Sequence, residues 1–473
     1  MADLDNIEHF VVLMLENRSF DSMLGALYPK SATFEGLAGT ESNPDSAGDP
    51  VPVWCSAEID DNAMRIPDPD PGELWTDINT QLFGNAVVPV PPIPTMDGFV
   101  KNYVAQPNGP VGRNIMHHFS PAQVPVISQL ATQFAVCDRC FASAPCQTWP
   151  NRWFVHAATA DGHENNEPIH LPGVETIYNR FEQAGMHDWK IYFHDLAQAH
   201  SLLQIFTLSD HFHFYRQFQT DCQTGQLPTY SFIEPQYYAD LAHPENDQHP
   251  PSVVTLGEQL IADAYNCIRS SSLWTKTLLI ITYDEHGGCY DHVPPPAAAQ
   301  PEAPSPGQVF NFDRYGVRVP AVLVSPYIAP GTILRPVGAV PYDHTSIIAT
   351  LRKRFQQLGG PLTGRDATAP DLESVLSLVS PDNQGPPKLT PLPYAPDPTT
   401  AAMAHARPLN DMQRALVGLA ANFPAAPGTD LKARRAAVTA APQAPPPDAT
   451  TDVRSALSFV KERVGNYFLS VGE

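Results

Sequence analysis

The sequence predicts an α/β fold: a mostly parallel central sheet with helices on both faces and a long loop-rich insertion. Three observations carry this. Short uninterrupted apolar runs of strand length recur along the chain. Each is closed by a polar or turn-forming cluster, and the stretches between them have the apolar spacing of helices. A strand that is apolar on both faces belongs in a sheet covered on both sides, as parallel sheets are.

The elements follow in order. Residues 9–15 form the first run and lead into Glu16-Asn17-Arg18-Ser19-Phe20-Asp21. Residues 30–110 are poor in periodicity and rich in Gly, Pro and Asp, and read as an insertion over the core. Helical patterns cover 152–159 and 253–268. Residues 277–283 form the second run and lead into Asp284-Glu285-His286-Gly287-Gly288. A third run, 319–324, stops at Ser325-Pro326, and 345–355 is again helical. In this reading residues 1–375 are one catalytic domain. Residues 376–450 are a Pro/Ala-rich extension ending in a flexible linker at 441–450. Residues 451–473 are an amphipathic helix with Val453, Leu457, Val460 and Val464 on its apolar face. The 51 prolines, roughly twice the usual ~5%, call for many extended loops.

Charge and composition narrow the function. Against 50 acidic residues stand 28 basic ones, a net charge of −22. Such a chain repels polyphosphate, which argues against nucleic acid as a partner and disfavours anionic membranes. No window reaches the ~18–20 apolar residues of a membrane span, so no transmembrane segment is expected. The start lacks a basic region and an apolar leader, so the chain reads as cytoplasmic as given, or secreted if a leader has been removed. Seven cysteines leave at least one thiol unpaired in a monomer. Cys137 and Cys140 have redox spacing but no matching half-site, and read as buried thiols.

In open α/β sheets functional groups collect at the carboxyl ends of strands. Glu16-Asn17 and Asp284-Glu285 both fall there. Adjacent carboxylates are costly unless a cation neutralises them. With the amide oxygen of Asn17 they make a hard ligand set, suited to calcium, magnesium or manganese over zinc. One such pair alone is an ordinary solvated strand end; two, after two core strands, point to a shared cation. Thr148 precedes a helical pattern with Pro150 in its first turn, so it is expected at the capping position just outside the helix. Helix N–H groups there favour a phosphate or an alkoxide. Alone it would be an ordinary cap, and its hydroxyl becomes a nucleophile only with help such as a bound cation. Of the 17 histidines, His249, His292 and His344 lie near an acid in sequence, which can orient or charge the imidazole; each alone reads as structural.

Taken together, Glu16-Asn17-Arg18-Ser19-Phe20-Asp21, Thr148-Trp149-Pro150-Asn151-Arg152, Asp284-Glu285-His286-Gly287-Gly288 and Tyr290-Asp291-His292-Val293 resemble the phosphoesterase family. That family holds phosphatidylcholine-hydrolysing phospholipases C and bacterial acid phosphatases, and is related to the alkaline phosphatase superfamily. The motifs occur in family order over roughly residues 5–360. The resemblance implies an alkaline phosphatase-like fold without the extra carboxy-terminal domains of the haemolytic members. It implies one divalent metal ion on Glu16, Asn17, Thr148, Asp284 and Glu285, with Thr148 as nucleophile through a phosphothreonine intermediate. His249 matches the group that contacts phosphate and protonates the leaving oxygen. Asn17, Glu73, His292 and His344 fall to substrate binding, the two histidines from behind. Glu73 stands where some members have a histidine. A carboxylate beside phosphate favours a substrate with a positive group such as choline. The remaining pocket histidine has three candidates: His187, His194 and His211. The implied activity is phospholipase C on phosphatidylcholine-like lipids, with acid phosphatase on small phosphomonoesters as the alternative. A non-catalytic cation-binding protein is the reading from another class, and an oligomer is possible.

Overall fold

The computed structural model describes all residues except 1–2, 108–109, 167–172, 241–243, 306, 395–397 and 472–473. Its centre is an eight-stranded sheet: β1 (His9–Leu15), β2 (Ala135–Cys137), β3 (Trp189–Phe193), β4 (Phe212–Phe214), β5 (Tyr230–Ile233), β6 (Thr277–Tyr283), β7 (Ala321–Val324) and β8 (Thr332–Leu334). The spatial order is β8-β2-β7-β6-β1-β5-β3-β4. Every pairing is parallel except those of β7, which runs against both neighbours. The expected α/β class and mostly parallel sheet are therefore observed. β1 and β6 form because Val, Leu and Ile suit a pleat buried on both faces. All of β6, and β1 from Phe10 onward, is buried.

Six helices matter for the site and its support: α1 (Trp75–Phe83), α2 (Pro125–Gln133), α3 (Thr148–Ala157), α4 (Val254–Ser270), α5 (Thr345–Arg354) and α6 (Asp411–Ala421). α2 packs with α4, and α3 with α5, giving two helical layers. Residues of the expected insertion build their own apolar cluster, in which Ile78 and Leu82 of α1 meet Phe99, Tyr103 and Met116. Tyr290 and Val317 join that cluster, so the insertion is seated on the segment that joins β6 to β7.

Beyond residue 400 the chain packs into the main core. Met412, Leu416 and Leu419 of α6 are buried there, as are Val453, Leu457, Val460 and Val464 of α7 (Val453–Val471). Of the stretch that composition marks as a flexible linker, Pro447–Thr450 forms a 3-10 turn, with Ala449 buried. Proline at its start pre-sets the backbone for that turn. No described helix is long and apolar enough to cross a membrane.

Candidate active site

β1 and β6 lie side by side with Leu15 opposite Tyr283. Glu16 and Asp284 therefore leave the sheet together. The Asn17 backbone N–H donates to Asp284 Oδ1 at 3.1 Å, and the same oxygen accepts the Glu285 N–H at 2.7 Å. Asn17 has φ +55, a left-handed conformation unusual outside glycine. Opposite it, Gly287 has φ +59, and a Cβ there would lie 2.1 Å from the Asn17 carbonyl oxygen. Only glycine permits this approach, so the Gly287-Gly288 turn closes directly on Asn17.

Thr148 is the first residue of α3, and Gln147 takes the cap position. This corrects the expected cap assignment. The physical reason lies in a distant loop: Asn166 Oδ1 accepts the Trp149 N–H at 2.8 Å. The Thr148 hydroxyl is thus released from capping and donates to Asn17 Oδ1 at 3.2 Å. Asn151 stiffens the approach to it, with its amide donating to the carbonyls of Ala144, Cys146 and Gln147. Arg152 lies one turn after Thr148 on the same helix face. Fully buried, it meets Asp284 Oδ2 through Nε and Glu16 Oε1 through Nη2, both at 3.1 Å.

His249 follows Gln248, another left-handed residue at φ +72. Its backbone N–H donates to Asp247 Oδ1 at 3.0 Å, and its Nδ1 lies 2.7 Å from the Pro250 carbonyl. Nδ1 therefore carries a proton, and Nε2 faces Glu73 Oε2 at 3.5 Å. Glu73 Oε1 in turn accepts from Asn17 Nδ2 at 2.7 Å. Asp70 Oδ1 stands 3.6 Å from His249 Nδ1. Burial alone would lower the imidazole, but Glu73 and Asp70 hold it well above its ordinary value. Burial pushes the Glu16 and Glu285 carboxyls well up, with Asp284 adding to both and Arg152 opposing the rise at Glu16. Arg18 ties the segments together: it donates to the carbonyls of Gln248 at 2.8 Å and Ile66 at 2.6 Å.

With this geometry in place, the family can be assigned. A family model described as Phosphoesterase family matches residues 7–357. The chain belongs to the phosphoesterase family. It is similar to non-specific phospholipase C3 of Arabidopsis thaliana, 39% identical over 88% of this chain and 82% of that one. Non-specific phospholipase C6 of the same plant is 37% identical over 88% and 80%. Phospholipase C B of Mycobacterium tuberculosis is 28% identical over 82% and 80%. A solved protein of the alkaline phosphatase superfamily from Vibrio parahaemolyticus aligns with TM-score 0.32 and 13% identity, over 52% of this chain and 64% of that one. This phosphoesterase is accordingly a hydrolase of phosphoric ester bonds.

The donor set of the phosphoesterase fits a cation. Buried polar atoms normally find a partner, yet Glu16 Oε1 and Oε2, Glu285 Oε1, Asp70 Oδ1 and His249 Nε2 accept or donate no hydrogen bond. The ion pair from Arg152 to Glu16 Oε1 lacks hydrogen-bond geometry. Buried Glu16 and Glu285 oxygens that accept no hydrogen bond, beside the cation of Arg152, are a donor set that a hard divalent ion would neutralise. Among the described residues, the acidic and histidine groups whose ligand atoms lie within 4.8 Å of one another are Asp70, Glu73 and His249 here, and Asp21, Asp291 and His292 in a separate network.

The structure thus brings together Glu16, Asn17, Glu73, Thr148, His249, Asp284 and Glu285. His344 stands behind them, with Nε2 2.9 Å from the Tyr283 carbonyl and Nδ1 3.2 Å from Ser143 Oγ. It braces the end of β6. His292 is held elsewhere. It bonds Asp21 Oδ2 at 2.6 Å, in a network where Arg318 already neutralises Asp21 and Asp291 at 2.9 and 3.0 Å. The contacts of His292 are thus an ion-pair network with Asp21, Asp291 and Arg318. Glu73 faces Asn17 and His249 rather than open space. The more exposed carboxylate is Asp70, whose side chain is 32% accessible against 5% for Glu73. Of the other histidine candidates, His187 pairs with Glu182, His211 stacks on Trp189 and His194 on Tyr215. Sequence reasoning gave no role to Arg152, Arg18, Asp70 or Asp247. The spacing of Thr148 and Arg152, four residues apart on one helix, was the signal available for Arg152.

Proposed function

We propose that this phosphoesterase is a metal-dependent phospholipase C that cleaves phosphatidylcholine-like lipids through a phosphothreonine intermediate. The observation that carries the reading is the Thr148 hydroxyl, freed from capping and set on Asn17 Oδ1 in a site where Glu16 and Glu285 bury carboxylate oxygens that accept no hydrogen bond. A divalent ion on Glu16, Asn17, Thr148, Asp284 and Glu285, with calcium, magnesium or manganese favoured over zinc, would lower the hydroxyl pKa and share charge on the phosphoryl oxygens. Thr148 Oγ, its proton released to solvent as a bound cation would favour, attacks phosphorus in line, and the P–O bond to the leaving alcohol breaks. His249, whose protonated form is favoured by Glu73 and Asp70, gives its Nε2 proton to the leaving oxygen. The neutral imidazole then takes a proton from the water that opens the phosphothreonine. Two in-line displacements give retention at phosphorus.

The names of the relatives support a lipid substrate over a soluble monoester. So does charge: a phosphomonoester dianion meets Asp70 and Glu73 with more repulsion than a zwitterionic diester does. Phosphorus NMR of the protein with a divalent cation, dispersed phosphatidylcholine and a soluble phosphomonoester tests the reading. Phosphocholine that stops appearing with a chelator, or in Thr148→Ala, is the expected result. Inorganic phosphate with intact lipid would make the protein an acid phosphatase. Cation binding with no turnover of either would make it a non-catalytic binding protein.

A further inference from the structure

The insertion carries a loop with no part in the chemistry above. From Asn85 to Pro94 the sequence is Asn-Ala-Val-Val-Pro-Val-Pro-Pro-Ile-Pro: nine of ten residues apolar, none charged. Val87, Val90 and Ile93 are 75%, 98% and 66% exposed. Folded monomers rarely display contiguous apolar surface without a use for it. Four prolines restrict the backbone, so the loop has little conformational freedom left to lose on docking.

The loop is built onto the site. Its far end returns to α1, where the N–H groups of Thr95 and Met96 donate to the Leu82 carbonyl at 2.8 and 2.9 Å. The adjacent Gln81 donates to the Gly72 carbonyl at 2.7 Å and bonds His286 Nε2 at 2.8 Å. Gly72 and His286 are the chain neighbours of Glu73 and Glu285.

We propose that residues 85–94 are a membrane-contact loop that seats the protein on the surface of a zwitterionic phospholipid bilayer and brings the site to its substrate. This rests on the phospholipase reading above. The partner is chosen by charge: the loop is uncharged, whereas the chain as a whole carries −22 and is repelled by anionic lipid. With no described helix able to span a bilayer, shallow insertion of three aliphatic side chains is a means of adsorption that leaves the enzyme free to dissociate.

The test compares wild type with the triple variant Val87→Asp, Val90→Asp, Ile93→Asp, and with Val337→Asp, a fully exposed valine elsewhere. Sedimentation with phosphatidylcholine vesicles in chelator reads contact without turnover. The triple variant should lose about tenfold or more in partitioning, Val337→Asp should match wild type, and added phosphatidylserine should weaken binding. With cation restored, vesicle hydrolysis should fall in parallel, while hydrolysis of monomeric short-chain phosphatidylcholine stays within about twofold. Equal partitioning of the triple variant, an equal loss in Val337→Asp, or wild type that never sediments would overturn the proposal. So would concentration-dependent dimerisation abolished by the triple change, which would make the loop an interface between copies. Should no phosphatidylcholine be cleaved, the phospholipase reading fails, while sedimentation still decides the loop.

Discussion

Arg152→Met removes the only cation seen to pair with both Glu16 and Asp284 among the described residues. The guanidinium is fully buried, lies 3.1 Å from each carboxylate, and also donates to the Met14 and Leu15 carbonyls at 3.3 and 3.4 Å. Methionine fills similar volume but leaves two buried carboxyl groups without their cation, a change that costs about 3–5 kcal/mol. Its Nη1 has no partner in the native arrangement. That atom's desolvation already weighs against the wild type, so the lower end, about 3 kcal/mol, is expected. With an unfolding entropy near 2.1 cal/mol/K per residue, 473 residues amount to about 1 kcal/mol/K, and Tm should fall by about 3 °C. Thermal denaturation in chelator measures this. In millimolar manganese or calcium the deficit should narrow, because a cation on Glu16 and Asp284 replaces part of the lost charge. Arg152→Lys should be intermediate, since a point charge does not reproduce the two-pronged contact. A Tm within about 1 °C of wild type in chelator would refute the view that Arg152 compensates this pair.

Three further outcomes are expected. Thr148→Ala should lower turnover of a phosphate diester by about 10²–10⁴-fold or more, while Thr148→Ser keeps most of it; the check is initial-rate assay of both with the same cation. His249→Asn should lose about 10²–10⁴-fold on an alkyl leaving group and far less on a p-nitrophenyl ester, whose oxygen leaves without protonation; equal losses on both would remove His249 as the acid. Glu258 on α4 accepts the Val126 and Ile127 N–H groups at 2.6 and 3.1 Å, and burial raises its carboxyl to about 8. Because the folded state holds this proton more tightly, its contribution is complete below about 4.5 and lost as pH rises through about 8. Urea unfolding across that range should show wild type losing up to about 1.4 kcal/mol per pH unit relative to Glu258→Gln; parallel profiles would count against it.

Long features were legible in the sequence and short ones were not. β1 and β6 are seven-residue apolar runs, and their polar ends placed Glu16 and Asp284 at strand termini. That these termini meet depends on the Leu15–Tyr283 register, which no local pattern encodes. β2, β4 and β8 have three residues each, too few for a period to show. The acid that holds the His292 ring, Asp21, is 271 residues away and could not be read from its neighbours in the chain. The capping assignment of Thr148 failed for the same reason, since Asn166 reaches the helix from outside it. An arginine within a helical pattern reads as solvated, and only the two carboxylates that converge on Arg152 explain its burial.

The segment beyond residue 400 has a consequence for how the protein is made. Trp149, next to Thr148, donates its indole N–H to Met412 Sδ at 3.0 Å. Tyr238 and Gln413 exchange hydrogen bonds of 2.6 and 2.7 Å with each other's neighbourhood, and the Tyr467 hydroxyl reaches the Phe206 carbonyl at 2.7 Å. A nascent chain leaves the ribosome N-terminus first. Thr148 and its helix therefore emerge long before the partners that wall them in are synthesised. Until then aromatic surface around Trp149, Phe206 and Tyr238 stands open to other chains and to chaperones. Completion of the walls around Thr148 is thus a late event in synthesis, and a message cut short near its 3′ end would yield a chain that holds Thr148, His249 and Asp284 behind an unfinished wall.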